Sequence, residues 1–133
     1  MTHEKFSFEQ RQLILKAQQI IDDASANYGT ILQQHVEQLH ATLADNNIED
    51  AIGLCYLIQS QAGTFGWPLA TEVAGWFKKL LLRQKDNGLN PAVNRLFQDS
   101  LKQIVSEKMT GESNAALKLL QHIETTLRAG GNN

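Results

Sequence analysis

The amino-acid sequence predicts an all-α protein, an up-and-down antiparallel four-helix bundle with an additional N-terminal helix or helical extension. Three observations support this fold class. Apolar residues recur mostly three or four positions apart, no segment has the alternating pattern of a strand, and short connections join the long amphipathic segments. With 133 residues, 42% of them hydrophobic and only 2 prolines, the chain has the size and composition of one packed domain.

The first helical segment is predicted over residues 8–45. Apolar residues recur through it at helical spacing from Leu13 to Leu43. Gly29 and Thr30 interrupt the segment, so the sequence leaves open whether it forms one kinked helix or two. The turn-forming residues 44–47 end it.

Four further helices are expected at residues 48–65, 69–85, 91–109 and 113–127. Pro68 and Pro91 each suit a first helical turn, Asn90 suits an N-cap, and Gly111 separates the last two segments. Residues 7–129 are predicted to form one domain. Residues 1–6 and 130–133 are expected to be disordered, since chain ends of this composition have little to hold them.

Composition excludes several classes of protein. A single cysteine rules out a disulfide framework and any multi-cysteine metal site. A net charge of −2 gives no overall signature of nucleic-acid binding. The polar N-terminus does not resemble a signal peptide, and the longest uncharged apolar run, residues 51–58, is too short to span a bilayer. We therefore expect a cytoplasmic protein, monomeric or weakly dimeric, without nucleic-acid or membrane partners.

Charge is distributed unevenly along the chain. Residues 1–66 carry 3 basic and 8 acidic side chains, whereas residues 67–133 carry 9 and 6. The basic residues gather just after the midpoint, at Lys78, Lys79, Arg83 and Lys85. They form either an ordinary solvated helix face or a patch for an acidic partner protein.

No catalytic or metal-binding motif is complete in this sequence. Glu37 and His40 form a single Glu-x-x-His pair, whereas di-iron bundles need two such pairs and two further glutamates. The sequence has no glycine-rich phosphate loop and no nucleophile motif. His35 and His122 have no partners at ligand spacing. We therefore expect no metal, no cofactor and no enzymatic activity.

The segment 48–65 has an unusual outward face. Helical geometry gives it a core face made of Ala51, Leu54, Cys55, Ile58, Ala62 and Phe65. The opposite face carries one aromatic residue among small ones, namely Gly53, Tyr56, Ser60, Gly63 and Thr64. A glycine in mid-helix costs about 0.5–1 kcal/mol relative to alanine. These glycines serve either close packing within the bundle or close approach of a partner, and Cys55 is predicted to be a buried thiol.

The connection at Trp67 is expected to fold the next helix back against this segment. Counting equal distances from residue 67 places Lys78 level with Tyr56, so Lys78 and Lys79 should flank this face. We call the resulting surface the docking strip. It consists of Tyr56, Gln59, Ser60, Gly63, Thr64, Lys78 and Lys79. Its small side chains and bordering positive charge suit a partner with a concave acidic site.

Residues 55–66, CYLIQSQAGTFG, resemble the signature of the histidine phosphotransfer (Hpt) domain of two-component phosphorelays. In that family the signature begins with histidine, any residue and leucine, and it closes with small residues and a glycine, as residues 62–66 do here. Leu39 and the turn at residues 46–48 also fall where the family has its preceding helix and turn. The resemblance extends over about residues 10–125 and implies an Hpt-like fold and a receiver domain or hybrid histidine kinase as partner.

The chain departs from the family at the residues that carry its chemistry. Tyr56 stands in place of the phosphoryl-accepting histidine, Gln59 in place of a common lysine, and Ser60 in place of a glycine. A histidine imidazole offers a nucleophilic nitrogen at neutral pH, whereas a tyrosine hydroxyl has an ordinary pKa near 10 and forms a stable phosphate ester. The resemblance therefore implies the fold and the partner class without the transfer reaction.

The sequence predicts a non-catalytic pseudo-Hpt signalling protein that binds a receiver domain or histidine kinase and modulates a phosphorelay. Two alternatives remain open. The chain could accept phosphoryl on a displaced histidine, His40 or His122. It could instead be an oligomerisation or scaffold bundle, because Leu80, Leu81 and Leu82 cannot all be buried on one stripe.

Overall fold

The computed structural model describes residues 7–111 and 113–131, and these residues form five α-helices and no strand. The helices are α1 (Phe8–Ala44), α2 (Ile48–Gln61), α3 (Pro68–Asn87), α4 (Pro91–Ser106) and α5 (Asn114–Gly131). The all-α class is thereby confirmed. The predictions of disorder at residues 1–6 and 132–133 lie outside the described residues, whereas residues 130 and 131 continue α5.

The first segment forms one continuous helix of 37 residues. It begins with a capping box, in which the Gln10 amide donates to Ser7 Oγ at 3.2 Å and the Ser7 amide donates to the Gln10 side chain at 2.9 Å. Gly29 does not break the helix. It makes room for the indole of Trp67, because a Cβ at Gly29 would lie 3.1 Å from Trp67 Cζ2. The Trp67 Nε1–H also donates to the carbonyl oxygen of Ser25 at 3.2 Å.

The helix predicted over residues 48–65 ends earlier than expected, at Gln61. Residues 62–66 instead form a tight turn in which the Trp67 amide donates to the Ala62 carbonyl at 2.8 Å. Gly66 adopts a φ of +87°, a conformation that side chains with a Cβ disfavour. The prediction of Phe65 on the core face of the helix is therefore wrong: its ring is 37% exposed and stacks on Tyr28 at a centroid distance of 5.1 Å.

The remaining helix boundaries follow from caps that the sequence encodes. Asn90 caps α4 as predicted, since its side chain accepts from the Val93 amide at 3.2 Å. The helix α4 ends at Ser106, three residues before the predicted boundary, although Met109 is still buried. Ser113 precedes α5 and accepts from the Ala116 amide at 3.1 Å.

The core lies mainly between α1, α2, α3 and α4, and α5 adds Ala116, Leu119 and Ile123 to it. Each of these helices contacts two of the others, in the order α1–α2–α3–α4–α1, whereas α5 packs chiefly on α4. Phe77 and Phe97 stack at a centroid distance of 5.0 Å and join α3 to α4. The buried side chain of Gln84 also ties these helices together, because it donates to Asn94 at 2.7 Å and accepts from the Asn90 amide at 3.0 Å.

The core does not extend along all of α1. Tyr28 is the first fully buried residue of that helix, and residues 8–23 are all exposed. Within residues 7–111 and 113–131, no helix has the combination of length and apolar character that crossing a bilayer requires.

Candidate functional site

The helices α2 and α3 pair antiparallel, and this pairing positions the docking strip. Four pairs of residues are in contact across the two helices, and in each pair the two residues lie equally far from residue 67 along the sequence. They are Glu49 with Lys85, Tyr56 with Lys78, Gln59 with Gly75, and Gly63 with Thr71. The register predicted from the sequence for Tyr56 and Lys78 is therefore the one that the structure has.

Tyr56 lies on the outer surface of α2 with 60% of its side chain exposed. Lys78 extends from α3 over its ring, with Nζ 5.3 Å from the ring centroid, within the range of a cation–π contact. Among the described residues, no carboxylate or imidazole hydrogen-bonds to the Tyr56 hydroxyl. The ring is thus held from one side by a cation and is open to solvent on the other.

Gln59 does not point outward as the other strip residues do. Its amide lies across Gly75, where a Cβ would come within 2.9 Å of Gln59 Nε2. Gln59 Oε1 is buried and has no hydrogen-bond partner among the described residues. Gly75 was missed by the sequence analysis, and its signal was a glycine in the middle of a long amphipathic helix.

Gly53 of α2 and Gly63 of the following turn have different surroundings. A Cβ at Gly63 would lie 3.1 Å from Thr71 Oγ1, so Gly63 allows close packing of α2 on α3. Gly53 has no atom within 4 Å of the position of a Cβ. Packing within the fold therefore explains Gly63, and nothing in the described residues explains Gly53.

The other strip residues are exposed but do not all lie beside Tyr56. Ser60 and Thr64 are exposed, and the Ser60 hydroxyl donates to the Leu57 carbonyl at 3.1 Å. Lys79 lies on a different side of α3 from Lys78, lining a groove with Ile123 and Leu127 of α5. The structure therefore brings one lysine of the predicted pair to Tyr56.

Leu82 adds an apolar residue to this surface. It follows Lys78 by one helical turn and is 46% exposed, whereas its neighbour Leu81 is fully buried. The sequence predicted that one of these leucines would remain uncovered, without assigning it to the docking strip. The exposed surface around Tyr56 thus contains an aromatic ring, a cation and an aliphatic side chain.

Behind this surface lies Cys55, fully buried as predicted. Burial raises the pKa of its thiol to about 12, although the nearby charge of Lys78 opposes the shift. The thiol is therefore protonated at neutral pH and unsuited to nucleophilic chemistry. Within the described residues, no group of three His, Cys, Asp or Glu side chains is arranged to hold a metal ion.

The three histidines among the described residues lie outside the docking strip. His40 is exposed on α1, and its Nδ1 lies 2.7 Å from Gln98 Oε1 on α4. His35 is half-buried, its Nδ1 has no hydrogen-bond partner among the described residues, and burial lowers the pKa of its imidazole. His122 is exposed on α5.

No family model, curated protein or solved structure matches the chain. The interpretation of the site therefore depends on its own geometry. That geometry offers an exposed surface of mixed chemistry, and in the part of the chain that the structure describes no cluster of metal-ligating side chains lies beside it.

Proposed function

We propose that this protein is a four-helix bundle of Hpt type, built from α1 to α4, that binds a receiver domain or a histidine kinase without carrying phosphoryl. The docking strip around Tyr56 is its contact surface, and it modulates a phosphorelay by occupying a site that an active Hpt domain would use. The protein acts in the cytoplasm, where such relays operate.

One observation supports this proposal above the others. Tyr56, which replaces the histidine of the Hpt signature, is exposed at the centre of the α2–α3 pair with Lys78 against its ring. Tyrosine is enriched among residues that dominate binding energies at protein interfaces. A cation held at the ring also complements the acidic phosphorylation site of a receiver domain.

The absence of transfer follows from the chemistry of the same position. Phosphoryl relay needs an acceptor that takes the group at neutral pH and releases it again to a carboxylate. A tyrosine without a neighbouring base is a weak nucleophile, and its phosphate ester is stable. The buried thiol of Cys55 does not substitute for it.

The test is direct binding to purified receiver domains from the source organism, measured by calorimetry. We expect Tyr56→Ala to weaken binding by about 1–3 kcal/mol, because it removes the central aromatic contact. Tyr56→Phe should retain most of the affinity, because the ring and its cation contact remain.

A matched control is available on α5. Leu117 is an exposed apolar residue of that helix, with 56% of its side chain accessible. Leu117→Ala should leave binding unchanged. If the native chain and Tyr56→Ala bind a receiver domain with equal affinity, the docking strip is not the contact surface.

The hydrogen bond of His40 favours one alternative, a displaced phosphoryl acceptor. Because an amide oxygen only accepts, Nδ1 of His40 is the donor in its contact with Gln98 Oε1, and Nε2 takes no part in this hydrogen bond. Incubation with a phosphorylated receiver tests this function. Label on the native chain that disappears in His40→Gln would support it, and an unlabelled chain would exclude it.

A further inference from the structure

The first half of α1 exposes more apolar surface than any other part of the described chain. We call residues 8–27 the N-terminal arm. Its large apolar side chains are all at least 47% exposed, and they are Phe8, Leu13, Ile14, Leu15, Ile20 and Ile21. At about 1.5 Å per residue the arm is about 30 Å long, roughly the diameter of a small domain.

Most of these side chains share one face of the helix. With about 100° of rotation per residue, Leu13, Ile14, Ala17, Ile20, Ile21 and Ala24 fall within about 60° of Ala17. Phe8 and Leu15 lie on the opposite face. The stripe leads directly to Tyr28, so it continues the core-facing side of α1 past the end of the core.

The arm needs a partner for this stripe. Most helical stability in proteins comes from packing of an apolar face, and the stripe has no such packing within the described residues. Contiguous apolar surface of this kind on a folded protein usually marks an interaction site. Among the described residues, no element covers the stripe between Leu13 and Ile21.

The spacing of the stripe is symmetric about Ala17. Leu13 and Ile14 precede Ala17 by four and three residues, and Ile20 and Ile21 follow it by three and four. A two-fold axis beside Ala17 therefore sets Leu13 against Ile21 and Ile14 against Ile20 of the other copy, while Ala24 meets Gln10. Such self-complementarity is what an isologous interface between two copies of one chain requires. The small side chain of Ala17 also lets two helices approach closely where they cross.

Charge determines the direction of pairing. The N-terminal part of the arm carries Arg11 and Lys16 with Glu9, and the C-terminal part carries Asp22 and Asp23. Antiparallel arms set the more basic part of one copy against the acidic part of the other, whereas parallel arms would juxtapose like charges. Antiparallel pairing also places the two cores at opposite ends of the paired arms.

We propose that two copies of this chain associate through their N-terminal arms, antiparallel and with the two-fold axis beside Ala17. A standard interface takes about 20–30 residues from each partner, whereas this dimer would bury only the stripe side of the arm, so its interface is smaller than the standard size. The dimer is therefore expected to dissociate in the micromolar range. The dimer interface does not involve Tyr56 or Lys78, so each dimer presents two docking strips. Binding through these two strips depends on the proposed function, whereas the dimer itself does not.

Sedimentation equilibrium of the full chain tests the dimer. The matched variants are Ile14→Glu on the stripe and Leu15→Glu on the opposite face, which place the same charge at neighbouring exposed positions. We expect Ile14→Glu to raise the dissociation constant at least tenfold and Leu15→Glu to change it little. Circular dichroism and tryptophan fluorescence check that both variants remain folded.

Disulfide cross-linking tests the direction of pairing. Gln10 and Ala24 lie equally far from Ala17, so antiparallel arms place Gln10 of one copy near Ala24 of the other. Mixing Gln10→Cys with Ala24→Cys should yield mainly the mixed disulfide, and the buried native Cys55 should not take part. Parallel arms would give the two self-linked products instead.

Three results would overturn the proposal. The first is a native chain that stays monomeric well above micromolar concentration, whether or not it binds lipid vesicles instead. The second is a dimer that Ile14→Glu and Leu15→Glu weaken equally. The third is a predominance of self-linked products in the cross-linking experiment. None of these results bears on binding by the docking strip. Failure of the dimer and failure of the proposed function are therefore distinguishable.

Discussion

The two halves of α1 share a helical spacing of apolar residues but have opposite environments. Both carry apolar residues at helical spacing, yet Leu32 and Leu39 in the second half are fully buried while Ile20 and Ile21 in the arm are 67% and 59% exposed. The second half packs on α2 and α4, and the arm extends past them. The spacing of apolar residues thus indicates which side of a helix is apolar, but it does not indicate whether that side packs against the same chain.

The largest expected difference between the halves is in stability. Leu32→Ala should lower the free energy of unfolding by about 2–5 kcal/mol, because it leaves a cavity in a packed core. Ile20→Ala, in the arm, should change it by no more than about 0.5 kcal/mol. Urea denaturation at concentrations below dimer formation measures both. A similar loss in the two variants would mean that the arm packs on its own chain.

The boundary between the halves offers the next test. Gly29 lies against the Trp67 indole, so Gly29→Leu should overpack this contact and cost about 1–3 kcal/mol of stability. The control is Gly53→Ala in α2, which has open space around it and should gain about 0.5–1 kcal/mol. Thermal unfolding followed by circular dichroism checks both changes. A neutral Gly29→Leu would show that the indole does not pack there.

The smallest expected effect concerns pH. Burial lowers the pKa of His35 in the second half of α1, so the folded state disfavours the imidazolium. The neutral imidazole of His35 therefore contributes stability that is fully present above the ordinary histidine pKa near 6.5. This stability is lost as the pH falls through the lower pKa of the folded state. The melting temperature of His35→Gln should therefore fall less than that of the native chain between neutral and mildly acidic pH. Identical pH profiles would contradict this assignment.

Much of the fold could be predicted from the sequence, because local chemistry determines it. Asn90 and Pro91 define the start of α4, and the turn at Trp67 sets the register that brings Lys78 to Tyr56. The end of α2 was predicted four residues too late, because the apolar period continues into Phe65 while the backbone turns at Gly66. Periodicity describes side chains, and here the backbone conformation determined the boundary.

The docking strip was less predictable than the fold, because its details depend on contacts between helices. Gln59 lies across Gly75, and no pattern within α2 alone indicates this. Lys79 follows Lys78 directly, yet one residue of rotation moves it to the α5 side of α3. Gly29 was predicted as a possible interruption of α1, whereas in the structure α1 continues through Gly29 and the Trp67 indole packs against it.

The most direct test of the account combines binding and phosphoryl transfer in one mixture. A receiver domain from the source organism is phosphorylated with radiolabel by its kinase and mixed with the native chain, with Tyr56→Arg as the paired variant. We predict that the native chain forms a complex with the receiver, that Tyr56→Arg does not, and that no label moves to either chain. Label on the native chain, or a complex that survives Tyr56→Arg unchanged, would contradict the account.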